Sequence, residues 1–160
     1  MGVGKTLQAL SIAWLFRMKD WPLLILAPSS LKLQWRDELL RWLPMRERDI
    51  FAFQSTREVD DFSLSLLRDG SIVIVSYDLA TKLAEMNLLA RFKFNTVIAD
   101  EAHYLKNYDT KRTRLLTPIL QRTKRVILVT GTPMLHRPAE LFSLLKILRP
   151  ELFFNFLEYS

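Results

Sequence analysis

Short apolar runs rich in β-branched residues alternate along this chain with longer segments of helical periodicity, and this alternation restricts the possible folds most. The predicted strands are Leu23–Ala27, Ile50–Phe53, Ile72–Ser76, Thr96–Ala99 and Val126–Thr130. The predicted helices are Lys5–Met18, Leu31–Trp42, Val59–Leu67, Leu79–Leu89, Lys111–Gln121 and Pro138–Leu148. Unbroken apolar runs are typical of parallel strands that are covered on both faces. The sequence therefore predicts an open, doubly wound α/β sheet with helices on both faces.

The composition is that of a single globular domain. The chain has 160 residues, of which 49% are hydrophobic and 25% charged, so it can bury a substantial core. It has no cysteine, which excludes disulfides and thiolate metal sites within these residues. No apolar run approaches the ~20 residues needed to cross a bilayer, so we expect no membrane partner. The net charge of +6 favours a polyanionic partner, but only mildly, because the basic residues are spread along the chain.

Polar residues follow four of the predicted strands at the point where each strand ends. These segments are Pro28–Ser30, Ser76–Tyr77, Asp100–Glu101 and Thr130–Thr132. In open parallel sheets, ligands bind at the carboxyl ends of the strands. The repetition of polar groups at successive strand ends therefore predicts one ligand site at this edge of the sheet.

The chain opens with Gly2-Val3-Gly4-Lys5-Thr6, directly before a helical pattern. In a phosphate-binding loop, glycines let backbone N–H groups approach the phosphates. The lysine meets the β- and γ-phosphate charge, and the hydroxyl holds Mg²⁺. These residues predict ATP and Mg²⁺ as ligands. The full loop pattern starts before residue 1, so a frayed, glycine-containing N-terminus is the alternative.

An acidic pair, Asp100 and Glu101, follows the apolar run Thr96–Ala99. At a nucleotide site the first carboxylate holds Mg²⁺, usually through water, and the second orients and deprotonates the attacking water. The alternative is a surface acidic turn that caps the next helix. The phosphate-loop residues upstream favour the catalytic interpretation. On its own, His103 is more typical of a packing or surface residue, and we interpret His136 as structural.

Two further turns have both a functional and a structural interpretation. Thr130-Gly131-Thr132 can form a tight turn that senses a neighbouring phosphate or carboxylate, or it can be an ordinary turn. Ser29 and Ser30 can hold a nucleic-acid phosphate, and Ser30 can equally cap the following helix. We predict that all four tryptophans pack in the interior: Trp14, Trp21, Trp35 and Trp42.

Taken in order, these segments resemble the SWI/SNF-type family of helicase-like ATPases within superfamily two. The matching segments are Met1–Thr6, Pro28–Leu31 with Trp35, Ser76–Tyr77, Asp100–His103 with Lys106–Asn107, and Thr130–Pro133. The resemblance implies a RecA-like fold, the first lobe of a two-lobe helicase core. It further implies that residues 1–160 are a lobe truncated at both ends, with its first strand and the second lobe missing.

The resemblance also implies a role for each matching residue. Gly2, Val3, Gly4, Lys5 and Thr6 bind ATP, with Lys5 on the β/γ-phosphates. Thr6 and Asp100 also hold Mg²⁺, and Glu101 is the base for water attack. His103, Thr130, Gly131 and Thr132 couple the nucleotide state to DNA contact. Ser29, Ser30 and Lys32 contact the phosphates of one DNA strand. Val3 stands where the family usually has leucine, which keeps an apolar side chain.

A narrower resemblance is to the annealing-helicase branch of this family, which includes A-like SWI/SNF-related and zinc-finger RAN-binding-type fork remodellers. It is carried by Trp21–Ile25, Arg41–Pro44 and Arg137–Leu141. Most remodelling ATPases have an Asn-rich stretch where this chain has Met134–Pro138. The resemblance implies a DNA-dependent ATPase that remodels or anneals duplex or branched DNA, in the nucleus if the source is eukaryotic and otherwise in the cytoplasm.

Other functions stay open at this point. One alternative is a chromatin remodeller of the same family, and another is a non-catalytic DNA- or protein-binding module that keeps the helicase fold. A different P-loop NTPase, such as a kinase, leaves Pro28–Trp35 and Asp100–His103 unexplained. Because the second lobe of this family supplies arginine fingers, residues 1–160 alone are expected to hydrolyse ATP weakly or not at all.

Overall fold

The computed structural model describes residues 4–67, 70–131 and 138–153. The strands are β1 (Leu23–Ala27), β2 (Ile50–Ala52), β3 (Ile72–Ser76), β4 (Thr96–Ala99) and β5 (Arg125–Leu128). The helices are α1 (Gly4–Leu15), α2 (Arg17–Asp20), α3 (Lys32–Trp42), α4 (Asp61–Leu66), α5 (Tyr77–Glu85), α6 (Lys111–Gln121) and α7 (Pro138–Leu148). Short 3₁₀ turns connect several of them, including Ser29–Leu31 and Ala102–Leu105. Strands and helices therefore alternate as the sequence predicts.

The strands form one sheet in the order β2-β3-β1-β4-β5, and every pairing is parallel. The central strand β1 lies between β3 and β4, with Leu26 opposite Ala99 and Ala27 opposite Ser76. This register aligns the ends of the three central strands. The polar residues that follow β3 and β4 therefore emerge at one edge, which confirms the predicted fold class and places the expected site.

Both faces of the sheet are covered, and the side chains of each central strand alternate between two hydrophobic clusters. One cluster joins Leu24, Leu26, Val73, Val75 and Val97 to helices α5, α6 and α7. The other joins Leu23, Ile25, Ile72, Ile74 and Ile98 to helices α1 and α3. Residues pointing to either face are thus apolar, which explains the unbroken apolar runs.

Side-chain hydrogen bonds fix the first residues of two helices, α5 and α6. The Ser76 hydroxyl accepts a hydrogen bond from the Leu79 amide, so α5 begins directly where β3 ends. The Thr110 hydroxyl accepts one from the Thr113 amide and starts α6 in the same way. Such N-caps satisfy amides that the helix itself leaves unpaired.

Several element boundaries differ from the predicted ones. The first predicted helix is divided at Phe16, whose carbonyl accepts hydrogen bonds from the amides of Lys19 and Asp20. The strand β5 starts one residue early and ends at Leu128, and it is only half-buried because it lies at the edge of the sheet. Among the described residues, no helix combines the length and apolarity that spanning a membrane requires.

Candidate functional site

A cavity of about 310 Å³ opens at the carboxyl edge of the sheet. It is bordered by the start of α1, by one side of α3, and by the residues that follow β4 and β5. The lining residues are Lys5, Thr6, Leu31, Gln34, Trp35, Glu38, Asp100, Glu101, Val129 and Gly131. Residues predicted from three separate parts of the chain therefore lie together, as expected for the ligand site of an open parallel sheet.

Lys5 and Thr6 lie in the first turn of α1, where helix amides are unpaired and the helix dipole is positive. The Lys5 ammonium crosses the cavity and donates a hydrogen bond to the Thr130 carbonyl at 3.3 Å. It also lies close to Gly131, because a Cβ at that position would be 2.8 Å from Lys5 Nζ. This end of the cavity is therefore positively charged and suited to an anion.

Asp100 is held by hydrogen bonds at both carboxylate oxygens. The indole Nε1 of Trp35 donates to Oδ2 at 2.8 Å, and the amide of Glu101 donates to Oδ1 at 2.9 Å. Partial burial raises the pKa of the Asp100 carboxyl above its usual range, and the two hydrogen bonds act in the opposite direction. The carboxylate is thus fixed in one orientation, with lone pairs left to accept further bonds.

Glu101 has a left-handed backbone, with φ 48° and ψ 53°. This conformation costs a non-glycine residue of order 1 kcal/mol and is characteristic of functional sites. It turns the Glu101 carboxylate into the cavity, where Oε2 lies 3.1 Å from His103 Nδ1 and 3.4 Å from the Gly131 amide. The predicted base is therefore oriented by two groups from different turns.

The side chain of Tyr77, the first residue of α5, contacts the acidic turn formed by Asp100 and Glu101. Its hydroxyl donates a hydrogen bond of 2.7 Å to the Asp100 carbonyl, and its ring stacks on Tyr104 with centroids 5.1 Å apart. Burial raises the pKa of the Tyr77 hydroxyl, which keeps it protonated as a donor. The guanidinium of Arg112 lies over the Tyr104 ring at 5.2 Å. The hydrogen bond from Tyr77 thus connects the acidic turn after β4 to the end of β3, two strands away in the sheet.

The segment after β1 is only partly as predicted. Ser29 and Ser30 are exposed in the 3₁₀ turn Ser29–Leu31, but Ser30 does not cap α3, whose N-cap residue Leu31 makes no side-chain cap. Lys32 is 5% exposed, and its ammonium donates to the Phe53 carbonyl at 3.0 Å and to Gln54 Oε1 at 2.6 Å. Burial lowers the Lys32 pKa. Its ammonium faces the protein, which argues against the predicted contact with a DNA phosphate.

The remaining predicted site residues have different outcomes. His103 lies beside Glu101, and Thr130 contributes its carbonyl rather than its hydroxyl to Lys5. Gly2, Val3, Thr132 and His136 lie outside the described residues.

The predicted burial of the tryptophans also has different outcomes at different positions. Trp35 is buried as predicted, at 2% exposure, but its indole also reaches the site. Trp42 is 43% exposed, so its predicted burial is wrong. Trp21 is buried and Trp14 packs against it.

Gln34 and Glu38 were not predicted to line the site. They are four residues apart and therefore share one face of α3, so their polarity on a helix beside the sheet edge was the available signal. Tyr77 was predicted at this edge as part of Ser76–Tyr77, and Trp35 belongs to a segment of the family resemblance, but nothing in the sequence indicated their hydrogen bonds to Asp100.

Comparison with known proteins identifies relatives over the whole chain. The family model of the SNF2-related domain matches residues 1–160. The cattle protein "DNA annealing helicase and endonuclease ZRANB3" is 40% identical over 100% of this chain and 15% of its own length. The cattle "SWI/SNF-related matrix-associated actin-dependent regulator of chromatin subfamily A-like protein 1" is 44% identical over 98% of this chain and 16% of its own length.

A solved structure shares the fold and the family. The chain superposes on the Sulfolobus solfataricus SWI2/SNF2 ATPase core in complex with dsDNA with a TM-score of 0.74 and 27% identity. The superposition covers 99% of this chain and 32% of that one, so the chain spans only a fraction of its relatives. The ordered motifs, the parallel sheet and the cavity at its carboxyl edge agree with these matches, and the chain belongs to the SNF2-related domain family.

Proposed function

We propose that residues 1–160 form the ATP-binding lobe of a longer, DNA-dependent ATPase that remodels or anneals duplex or branched DNA. The observation that carries this proposal is the convergence of Lys5, Thr6, Asp100, Glu101 and Gly131 on one cavity. The four polar side chains are the set that ATP hydrolysis needs: a cation for the phosphates, oxygens for Mg²⁺ and a base for water.

The start of α1 is suited to bind the triphosphate. The unpaired amides of the first turn and the Lys5 ammonium both favour negative charge, and Lys5 already spans the cavity to the Thr130 carbonyl. Phosphate oxygens are stronger acceptors for an ammonium than a neutral carbonyl is. The Lys5 ammonium has three N–H donors, so it can bind the β/γ-phosphates while it stays at the Thr130 carbonyl.

The oxygens of Thr6 and Asp100 fit Mg²⁺, because this ion prefers hard oxygen ligands and takes one or two protein groups together with substrate phosphates. When bound there, Mg²⁺ would neutralise charge on the phosphates. The protein's own contribution is the fixed orientation of Asp100, whose two carboxylate oxygens are held by Trp35 and by the Glu101 amide.

Glu101 is the proposed base, since its carboxylate reaches the cavity and is not engaged by any lysine or arginine among the described residues. Its Oε2 accepts a hydrogen bond from the Gly131 amide, which orients the carboxylate without neutralising it. His103 contacts the same oxygen. A water that approaches the γ-phosphate would lose its proton to Glu101.

Ser29 and Ser30 are the proposed contacts to a DNA strand, because they are exposed in a tight turn at the same edge of the sheet. The structural relative is an ATPase core in complex with dsDNA, which supports a DNA partner. The similarity to a DNA annealing helicase favours annealing over nucleosome sliding, and the similarity to a regulator of chromatin favours the nucleus as the location. A second lobe elsewhere in the parent protein would complete the ATP site.

The test uses the full-length parent protein with Lys5→Ala or Glu101→Gln. Either change is expected to reduce DNA-stimulated ATP hydrolysis by at least ~10²-fold, because each removes a group needed in the transition state. Lys19→Ala and Glu85→Gln, two changes outside the cavity, are the matched controls and should retain activity. Unchanged strand annealing in both site variants would favour a non-catalytic binding module, and unchanged hydrolysis would show that Lys5 and Glu101 are not the catalytic groups.

Two further measurements test the need for a second lobe and the choice between strand annealing and nucleosome sliding. Residues 1–160 alone should bind ATP yet hydrolyse it roughly 10³-fold or more below the parent protein, because the arginine fingers of a second lobe are lacking. Robust DNA-stimulated hydrolysis by the isolated chain would contradict this. Annealing of complementary strands by the parent, compared with its ability to slide nucleosomes, distinguishes an annealing helicase from a chromatin remodeller.

A further inference from the structure

We infer that Trp35 is a positioning residue that transmits DNA contact at Ser29–Leu31 to the carboxylate of Asp100. This inference rests on the proposed function, since it requires DNA at the turn and catalysis at the cavity. Its physical basis is one hydrogen bond between two side chains that are 65 positions apart in the chain. That bond joins the helix after β1 directly to the acidic turn after β4.

The bond is well placed to control the orientation of Asp100. Trp35 Nε1 donates to Oδ2 at 2.8 Å, and the remaining carboxylate oxygen is held by the neighbouring Glu101 amide. The Glu101 bond is local and moves together with the acidic turn. Trp35 is therefore the group that fixes the carboxylate relative to another element of the fold.

Only a few residues, all in the 3₁₀ turn or in α3, connect the proposed DNA contact at Ser29–Leu31 to Trp35. The turn Ser29–Leu31 runs without a break into α3, which begins at Lys32, so Trp35 lies in the first turn of that helix. The Lys32 ammonium holds the start of α3 at the backbone carbonyl of Phe53 and the side-chain amide oxygen of Gln54. No loop separates the turn from α3, so a displacement of the turn is passed directly to the helix that carries the indole.

Trp35 also packs in the core, since it is almost fully buried and belongs to the hydrophobic cluster that contains Ala9, Leu10 and Leu39. Packing alone requires an aromatic ring of similar size, whereas positioning requires the indole N–H. The two roles therefore make different predictions for a replacement that keeps the ring and removes the donor. This difference provides the experiment.

The experiment compares the full-length parent protein with its Trp35→Phe variant. Basal and DNA-stimulated kcat, the KM for ATP, the Mg²⁺ concentration for half-maximal rate and the Kd for duplex DNA are measured for both. The ratio of stimulated to basal kcat is expected to fall about tenfold, since a hydrogen bond to a charged group is lost. The KM for ATP and the Kd for DNA should stay within about twofold of the parent values, because phenylalanine keeps an aromatic ring at the cavity wall and only the N–H directed at Asp100 is lost.

The matched control is Trp21→Phe. The Trp21 indole is also buried and also loses a hydrogen bond on substitution, to the Ala13 carbonyl at 2.9 Å, but it lies away from the cavity. Its stimulation ratio should equal that of the parent. If Trp35→Phe keeps the parent ratio, or if both variants lower it equally, the inference is overturned. Absence of DNA stimulation in the unmodified parent instead overturns the proposed function.

A second variant removes the donor with less effect on packing. Benzothienylalanine at position 35 replaces the indole N–H by sulfur within a ring of nearly the same shape. If Trp35→Phe does not fold, this variant decides the question by the same ratio. A tenfold loss supports the role of the N–H in transmitting DNA contact, and a normal ratio shows that Trp35 acts through packing alone.

Discussion

Gly131 is the residue whose substitution tests the geometry of the phosphate end most directly. Gly131→Ala places a Cβ 2.8 Å from Lys5 Nζ and 3.6 Å from Glu101 Oε1. Ordinary contact begins at about 3.4 Å, so the ammonium must withdraw by about 0.6 Å and leave its position at the Thr130 carbonyl. Lysine is flexible, so this movement costs little folding free energy, and the described glycines have no positive φ that an alanine would strain.

Catalysis is far more sensitive to that movement than stability is. A displacement of about 1 Å at a catalytic group costs up to about 10²-fold in rate, which corresponds to about 2.7 kcal/mol of activation free energy. Alanine also restricts the unfolded chain, which adds about 0.4–1 kcal/mol of stability where its backbone is unstrained. Gly131→Ala should therefore be as stable as the parent chain, or slightly more so, while the full-length protein hydrolyses ATP roughly ten- to a hundredfold more slowly, since a shift of about 0.6 Å is smaller than 1 Å.

The assay pairs urea denaturation of residues 1–160 with steady-state ATP hydrolysis by the full-length protein. Gly70→Ala is the matched control, because a Cβ at Gly70 has no neighbour within 4 Å. That variant should retain both stability and rate. Full activity in Gly131→Ala would show that Lys5 does not need its observed position. A loss of activity accompanied by unfolding would refute the claim that the substitution acts locally.

Three other substitutions probe the surroundings of the site. Tyr77→Phe leaves the Asp100 carbonyl without its buried donor and should lower the unfolding free energy by about 1–3 kcal/mol in urea denaturation. Leu10→Ala removes a fully buried side chain between α1 and the sheet and should cost about 2–5 kcal/mol in the same assay. Asp100→Asn should abolish hydrolysis, and the melting temperature of the parent chain relative to this variant should rise as the pH is lowered from 7 towards 4.

The sign of the Asp100 effect follows from its raised pKa. The folded chain binds a proton at this carboxyl more tightly than the unfolded chain does, so stability falls as pH rises through the folded pKa. Asparagine carries no charge at any of these values, and its single acceptor oxygen serves only one of the two N–H donors of Trp35 and Glu101 at every pH. The burial cost is therefore measured by the change with pH, and a difference in melting temperature that stays constant between pH 7 and pH 4 would contradict it.

Two control substitutions test whether the predicted losses of unfolding free energy in Tyr77→Phe and Leu10→Ala come from the buried groups that those changes remove. Tyr108 is exposed, so Tyr108→Phe should change stability by less than about 0.5 kcal/mol. Ile12 is on the same helix as Leu10 but is largely exposed, so Ile12→Ala should cost under about 1 kcal/mol. If either control matched the loss of its test variant, the proposed cause of that loss would be wrong.

The fold was predictable because the apolar pattern of each central strand agrees with its burial between the two layers of helices. The runs Leu23–Ala27, Ile72–Ser76 and Thr96–Ala99 are apolar at every position since both faces of the sheet are buried, and their predicted bounds match the structure. Boundaries were less predictable where tertiary contacts decide them. The edge strand β5 has a partner on one side only among the described residues, so its apolar sequence extends beyond its pairing.

The candidate site was predictable only where chemistry depends on residue type. A lysine and threonine at a helix start and two carboxylates after a strand have few alternative uses in combination. Lys32 shows the limit, because its charge suggested a surface contact while its length lets the ammonium reach the Phe53 carbonyl inside the protein. Trp35 shows the converse, because burial suggested packing while its N–H serves the site. Sequence patterns indicate burial, but they do not indicate the partner of a buried polar atom.

The hydrogen bonds of Asp100 show why the site depends on buried partners that the sequence does not indicate. Every polar atom of Asp100 is engaged: the amide donates to the Leu26 carbonyl at 2.8 Å, the carbonyl accepts from Tyr77, and the carboxylate accepts from Trp35 and Glu101. This network fixes a partly buried carboxylate whose charge burial disfavours, and it holds Glu101 in a left-handed backbone beside it. Groups already oriented before nucleotide arrives need no reorganisation during reaction, which lowers the activation barrier. The strain and burial at this turn therefore reduce folding stability in exchange for catalytic geometry.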